Sequence, residues 1–377
     1  MRVVFDARHL QTVSRTRGIG RYSRNLLAAF ARRAADDVEW TLLTLGTFPA
    51  ADRSPLPPHR TRETIRLRRP ELSMLALDPL LLPFELAGQG DVFHSVQLGL
   101  PAVRRVPVVL TIHDLAPLHW PSHYLRLPYA RVGHAWQYAL AKRADAIVAV
   151  SDATKADVVA RLGIHAERIR VIPEAVDASF RAPARETGAA LARDRFAVPG
   201  RYVLYVGQFD PRKNMDGLFA AFTPAADRDP DLRLVIVGTL GRLAGLMRDA
   251  LARSRVDAAR VVITGEVDDG TLAALYAGAE CLLHSAWLEG FGLTALEALA
   301  AGTPVVAYRA GAVAEVVGEA GLLVDERDPG ALGEALVALL SDRSLQDRLR
   351  ALAKPRAAHF SWDRAADDTL AIYRSLT

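Results

Sequence analysis

The sequence holds a single cysteine, Cys281, among its 377 residues, so no internal disulfide can form and nothing points to an oxidising compartment. Cys281 lies in the largely apolar stretch Glu280-Cys281-Leu282-Leu283-His284 and reads as a buried thiol. No apolar run is long enough to span a bilayer; the one over 80–86 is broken by Pro83 and Glu85. The amino terminus, Met1-Arg2-Val3-Val4-Phe5-Asp6-Ala7-Arg8, puts charges where the apolar core of a signal peptide would lie. These absences predict a cytoplasmic protein. No aromatic-interleaved basic motif suggests a nucleic-acid partner. No His, Cys and Asp cluster has metal-ligand spacing, so no metal site is expected. Two Asp-x-Asp spellings, Asp227-Arg228-Asp229 and Asp229-Pro230-Asp231, fall in a polar loop and read as solvated turns.

The chain is longer than one hydrophobic core normally supports, and half of its residues are hydrophobic, enough to fill two. Net charge is only +4, but it is uneven. Residues 1–180 carry 24 Lys and Arg against 17 Asp and Glu, and the remainder is slightly acidic. Basic residues gather at Arg15, Arg17, Arg21 and Arg24 and across 60–69. This gathering fits either a solvated Arg-rich surface or a patch that meets anionic headgroups of the inner membrane or a phosphate-bearing acceptor.

Short β-branched runs alternate with Ala- and Leu-rich helical stretches. Strands are expected over 2–6, 40–44, 92–94, 108–112, 146–150 and 169–172. A glycine turn over 17–21 precedes a helix over 22–33. Ser151 and Asp152 open a helix over 153–162. The pattern pauses over 177–200, where Pro183, Gly188, Pro199 and Gly200 suggest an interdomain linker. It restarts with strands over 202–207, 232–238, 261–264, 281–284, 304–308 and 322–324. Each half therefore reads as α/β, a parallel sheet covered on both faces and doubly wound. Such sheets bind ligands beyond the carboxyl ends of their strands.

The most informative motif is Glu289-Gly290-Phe291-Gly292-Leu293-Thr294-Ala295-Leu296-Glu297, ahead of Gly302-Thr303-Pro304-Val305-Val306. The glycines place Glu289 in a loop and Glu297 on the helix that it opens. Free amides at that helix start suit a phosphate. In Tyr205-Val206-Gly207-Gln208-Phe209-Asp210-Pro211-Arg212-Lys213-Asn214 a glycine ends a strand and two cations follow in a turn. Fixed cations meet the charge that develops on a departing diphosphate and take over a metal's role. His113 stands at the carboxyl end of an apolar strand, in Leu110-Thr111-Ile112-His113-Asp114-Leu115.

With these motifs the chain resembles glycosyltransferase family 4. The resemblance covers nearly the whole length and is densest over 202–324. It implies the GT-B fold, two Rossmann-like doubly wound domains facing a central cleft. Residues 1–180 would form the acceptor-side domain and 181–360 the nucleotide-sugar domain. The helix over 361–377 would pack back on the first, with Trp362 as its packing anchor. It implies that Glu289 lies by the donor sugar, that Glu297 binds the ribose hydroxyls, and that Gly290, Phe291, Gly292, Leu293 and Thr294 line the diphosphate with their backbone. Lys213 and Arg212 would stabilise the leaving group. Many members carry an arginine at the position of Gln208, and there this chain departs from the pattern. Gly207, Gly238 and Val267 would contact the nucleotide. Gly18-Ile19-Gly20-Arg21-Tyr22 resembles the family's glycine loop over the diphosphate, with Gly18 and Gly20 on the donor and Arg21 and Tyr22 towards the acceptor. His113 would sit beside the donor sugar, with Asp114 orienting it or shaping the acceptor pocket.

The resemblance further implies a retaining, metal-independent enzyme with no cofactor, the nucleotide-sugar being a co-substrate. The motifs look most like bacterial polysaccharide mannosyltransferases, so GDP-mannose is the first donor expected and a hydroxyl of a glycan, glycolipid or small molecule the acceptor. A UDP- or dTDP-sugar transferase, a nucleotide-sugar epimerase and an inactive sugar-nucleotide binding protein remain as alternatives.

Overall fold

A computed structural model of the chain describes residues 1–33, 37–46, 55–64, 70–208, 210–238, 244–325 and 327–377. Residues 65–69 of the basic run and Phe209 of the 205–214 motif lie outside that set. The chain divides into two compact units: Met1–Glu174 with Ser361–Thr377, and Ala175–Phe360.

In the first unit seven strands form one parallel sheet. They are β1 (Arg2–Asp6), β2 (Glu39–Thr44), β3 (His59–Glu63), β4 (Val92–Ser95), β5 (Val108–Ile112), β6 (Ala146–Ala149) and β7 (Ile169–Val171). Their order is β3-β2-β1-β4-β5-β6-β7. Six of them coincide with expected strands, because burial on both faces writes a near-continuous apolar run into the sequence. The strand β3 was not expected. All five of its side chains are exposed, and it pairs with β2 from Trp40 with His59 to Thr44 with Glu63. Its charges belong to a sheet edge, where they discourage pairing with other chains.

The second unit holds β8 (Tyr202–Val206), β9 (Arg233–Val237), β10 (Val261–Gly265), β11 (Cys281–His284), β12 (Val305–Tyr308) and β13 (Gly321–Val324). Their order is β10-β9-β8-β11-β12-β13, again parallel. Each sheet reverses its winding beside its first strand, between β1 and β4 and between β8 and β11. Those are the switch points at which a doubly wound sheet opens a crevice. Cys281 is buried, and burial pushes its thiol well above the ordinary range.

Two expectations about the middle of the chain need correction. The first unit ends at Glu174 and not at 180, because the turn Ala178–Arg181 buries Phe180 against Tyr276 of the second unit, ring centroids 6.0 Å apart. The expected linker over 177–200 contains a helix, Arg185–Phe196, which packs on the helix Asp269–Gly278. The contact is so close that a Cβ on Gly188 would collide with the backbone of Ala274 and Gly278. Only Gly188 and Ala192 are buried on this helix, so no apolar stripe announces it.

The carboxyl-terminal helix, Trp362–Leu376, lies on α1 (Gly18–Arg33) in the first unit. Salt bridges Arg32–Asp363, Arg33–Asp367 and Arg374–Asp37 line the seam. These pairs are roughly half exposed, and solvent screening leaves them little stabilising effect. Burial of Trp362, Leu370 and Tyr373 outweighs them, at about 1.5–3 kcal/mol for a large apolar side chain. No helix among the described residues is long and apolar enough to cross a membrane.

Beside the first switch point, Arg8 bridges Asp6 at 2.7 Å and Asp78, on α2 (Pro70–Glu85), at 2.8 Å, with all three side chains fully buried. Burial alone would raise the Asp6 carboxyl, but the charge and hydrogen bonds of Arg8 hold it at about 2. Arg8→Met would strand two buried carboxylates and should cost roughly 3–5 kcal/mol in urea unfolding. A loss no larger than the ~0.5 kcal/mol of an ordinary surface change would contradict this account.

Candidate active site

Three glycines finish the strands on one side of the second switch point. Gly207 follows β8 and donates to Val237 O at 3.0 Å, and Gly238 follows β9 and donates to Gly265 O at 3.1 Å. Gly238 has φ +150°, and a Cβ there would collide with the carbonyl oxygen of Gly207. It is therefore needed for the approach of two strand ends, a demand the sequence left undecided.

After β8 the chain makes a tight turn, Pro211–Lys213. Asp210 accepts from the Arg212 amide at 3.1 Å, and Asn214 caps the next helix by accepting from Gly217 N at 3.0 Å. The loop after β11 is fastened to that turn. Trp287 N donates to Arg212 O at 2.8 Å, and Ser285 Oγ donates to Lys213 O at 2.9 Å. This stitching brings both cations onto Glu289. Lys213 Nζ donates to Glu289 Oε1, and Arg212 Nη1 lies 3.3 Å from Oε2. His284, the last residue of β11, places Nε2 3.2 Å from Oε1. Burial would raise the buried Glu289 carboxyl, but the charges of Lys213 and Arg212 and the bond from His284 outweigh it and hold the group well below its ordinary value. Across the loop, Ala312 N donates to Glu289 O at 3.1 Å. A Cβ on Gly311, at φ +56°, would collide with that carbonyl oxygen.

The glycine pair behaves as expected. Gly292 adopts φ +99° and opens the helix Leu293–Ala300, with Glu289 in the loop and Glu297 on the helix. Gly292 O accepts from Ala295 N and Leu296 N, so the amides of Leu293 and Thr294 head the helix without an intrahelical acceptor. Thr294 Oγ1 is buried without a partner. Gly290 is buried, and the Phe291 ring packs edge-on against Phe360, which leaves its backbone as the part that can meet a ligand. Glu297 is buried and accepts from Tyr276 Oη at 2.9 Å. Val267 is half-buried in the loop between β10 and the helix capped by Asp268.

The first unit carries the remaining predicted residues. His113 follows β5 and is held at both ring nitrogens and at its backbone carbonyl. Its Nδ1 lies 2.9 Å from Glu174 Oε1, its Nε2 lies 3.1 Å from Val96 O, and its backbone carbonyl accepts from Thr154 Oγ1 at 3.1 Å. The Tyr22 ring stands edge-on to the imidazole at 4.8 Å. Ser151 is the expected helix cap, accepting from Thr154 N at 3.0 Å.

Two expectations change here. Gly18, Gly20 and Arg21 form the first turn of α1 and not a loop before it. A Cβ on Gly20 would collide with the carbonyls of Ser14 and Arg15, so this glycine serves the packing of the helix start on the preceding turn. Tyr22 is buried, with its hydroxyl 3.1 Å from Thr111 Oγ1 and its ring against His113. Asp114 spends Oδ1 on the Ala116 amide at 2.9 Å, while Glu174 takes the His113 ring. Arg15 and Arg17 are exposed, and Arg21 and Arg24 are half-buried.

Comparison with known proteins agrees with this geometry. A family model described as Glycosyltransferase Family 4 matches residues 16–180, and one described as Glycosyl transferases group 1 matches residues 200–342. A D-inositol 3-phosphate glycosyltransferase of Salinispora arenicola is 34% identical over 313 residues, covering 76% of this chain and 69% of that one. The chain belongs to glycosyltransferase family 4. The O-antigen chain mannosyltransferase B of Escherichia coli is 28% identical over 95% of this chain and 96% of its own length. The crystal structure of Anabaena HepE in complex with UDP-glucose shares the GT-B fold, with a TM-score of 0.77, 19% identity and full coverage of both chains.

In this glycosyltransferase, several site neighbours escaped the sequence reading. His284 ends an apolar strand just as His113 does, and the same signal would have found it. Glu174 follows the apolar β7 by three residues, a charge where the strand pattern stops. Tyr276 and Gly311 carry no local signal, since their roles depend on residues brought up by the fold.

The depressed carboxyl of Glu289 fixes the sign of an acid dependence. Its contribution to stability is complete above 4.5, the value of the free group, and is lost as pH falls below it, because the unfolded chain then binds a proton that the folded chain refuses. Glu289→Gln should flatten this acid limb in unfolding free energies measured across that window. An unchanged slope would mean that Glu289 is not held ionised by its neighbours.

Proposed function

We propose that the chain moves a hexose from a nucleotide-sugar to an acceptor hydroxyl with retention of anomeric configuration and without a metal or other cofactor. The observation that carries this reading is the pairing of Lys213 and Arg212 on Glu289 at the carboxyl edge of β8 and β11. Two cations at a switch point form an anion site, and the amides of Leu293 and Thr294, which have no intrahelical acceptor, suit the same kind of ligand. In the proposed reaction the bond between the anomeric carbon and the diphosphate oxygen breaks, and the acceptor oxygen bonds to that carbon from the same face. The acceptor proton passes to the departing diphosphate, whose charge Lys213 and Arg212 meet. Glu297 binds the ribose hydroxyls, and Glu289 and His113 attend the sugar.

The donor is proposed to be GDP-mannose. Similarity to a mannosyltransferase along nearly the whole length of both chains supports it. A uridine donor is the second reading, favoured by the UDP-glucose in HepE. A phosphorylated small acceptor draws support from the inositol 3-phosphate relatives, and the exposed Arg15 and Arg17 suit an anionic group on an acceptor or an anionic membrane surface. Membership in a glycosyltransferase family removes the epimerase alternative.

A thermal-shift panel of GDP, UDP, dTDP and ADP with their common sugar conjugates, run in excess chelator, tests the proposal. The correct donor at a hundred times its dissociation constant should stabilise the chain by about 2.7 kcal/mol. Product from that donor, with its anomeric configuration read by NMR, should form in the same buffer. A shift confined to uridine nucleotides would replace the donor. Turnover that requires an added divalent ion, or an inverted product, would overturn the mechanism.

A further inference from the structure

We propose that Glu174 is the positioning residue for His113. Its carboxylate is buried, and Oε1 receives the bond from His113 Nδ1 at 2.9 Å. Its other oxygen, Oε2, is buried and has no hydrogen-bond partner. A carboxylate that served packing alone would be a poor choice here, because a buried oxygen without a donor is destabilising. One that orients an imidazole has a reason to stay.

The neighbours of the ring leave this task to Glu174. Thr154 Oγ1 donates to the backbone carbonyl of His113. Tyr22 offers the ring an edge contact, and its own hydroxyl is engaged by Thr111. Val96 O faces Nε2 at 3.1 Å, which constrains one ring nitrogen. The acceptor at Nδ1 sets the second, and two fixed nitrogens define the plane and roll of an imidazole. A carboxylate on Nδ1 is a recurrent device for orienting an imidazole in an active site. Asp114, next to His113 in sequence, is turned to the Ala116 amide and cannot substitute at Oδ1.

This inference rests on the reading that His113 takes part in turnover, and the test separates the two. Release of nucleoside diphosphate from GDP-mannose, or from UDP-glucose if only uridine nucleotides bind, is measured for full-length Glu174→Ala, Glu174→Gln, His113→Ala and the double variant His113→Ala with Glu174→Ala. Glu174→Ala should lower kcat about a hundredfold, as expected for a displaced catalytic group. The thermal shift given by the nucleoside diphosphate should stay unchanged. Glu174→Gln keeps an oxygen that accepts from Nδ1–H and should recover most of the rate. The double variant should be no slower than His113→Ala, because Glu174 then has nothing to orient. NMR of the chain with 15N-labelled histidine should show a bonded Nδ1 proton on His113 in the native protein and in Glu174→Gln, and lose it in Glu174→Ala. Losses that multiply in the double variant, or an unchanged rate in Glu174→Ala, would overturn the positioning role. Should Glu174→Ala fail to fold, absence of the bonded proton in the native protein would overturn it equally. A full rate in His113→Ala would instead remove His113 from turnover, while the Nδ1 resonance would still decide whether Glu174 holds the ring.

Discussion

A carboxylate can be buried only where opposite charge and donors replace the water it gives up. Glu289 meets that condition through Lys213, Arg212 and His284, and much of the second unit is arranged so that it can. The turn after β8 exists in its tight form because Asp210 and Asn214 cap it from both sides. The loop after β11 is tied to that turn through the backbone of Arg212 and Lys213. Gly311 lets a third segment close over the Glu289 carbonyl. The same contacts that make the buried charge tolerable also hold two cations in fixed positions. Preorganised charge of this kind stabilises a departing anion without reorganising when the anion forms.

The first unit solves a different problem with the same chemistry. Its sheet ends in a set of buried polar groups. Tyr373 pairs with His94, His94 Nε2 lies 2.8 Å from Thr111 Oγ1, and Thr111 meets the Tyr22 hydroxyl. Asp6, Arg8 and Asp78 form a second buried set. Fully partnered buried networks fix one arrangement of their members, whereas partly partnered ones are costly. His9 belongs to the costly kind. It is buried with neither ring nitrogen hydrogen-bonded, Asp6 Oδ2 lying 3.8 Å from Nε2, and burial lowers its pKa to about 4, so it is held neutral.

Much of this architecture was legible in the sequence, and the reasons are specific. Strands such as β5 and β11 are buried from end to end and appear as unbroken apolar runs between turn residues. Glu289, Gly292 and Glu297 were readable because a glycine with positive φ must precede the helix that carries the second glutamate. What stayed hidden left no periodicity. The strand β3 earns its place by backbone pairing alone. The helix Arg185–Phe196 packs through a glycine and an alanine. The start of α1 looked like a loop because Gly18 and Gly20 are poor helix formers, yet close packing on the turn Val13–Thr16 overrode that preference. Glu174 and Tyr276 act across 61 and 21 residues of chain, and no local pattern records such pairings.

The placement of the last helix sets an order of events during synthesis. The residues of the second unit, Ala175–Phe360, have all been joined before Trp362 and Tyr373 are added. The first unit therefore begins first and closes last. Until Tyr373 arrives, the rings of Phe30 and Trp40 lack the ring that later packs on them, and His94 lacks a partner 279 positions further along the chain. Contacts of such separation are the slowest to form. A chain cut off before Trp362 would hold every residue of its second unit and leave an apolar face of its first unit bare, the kind of surface on which chaperones and proteases act.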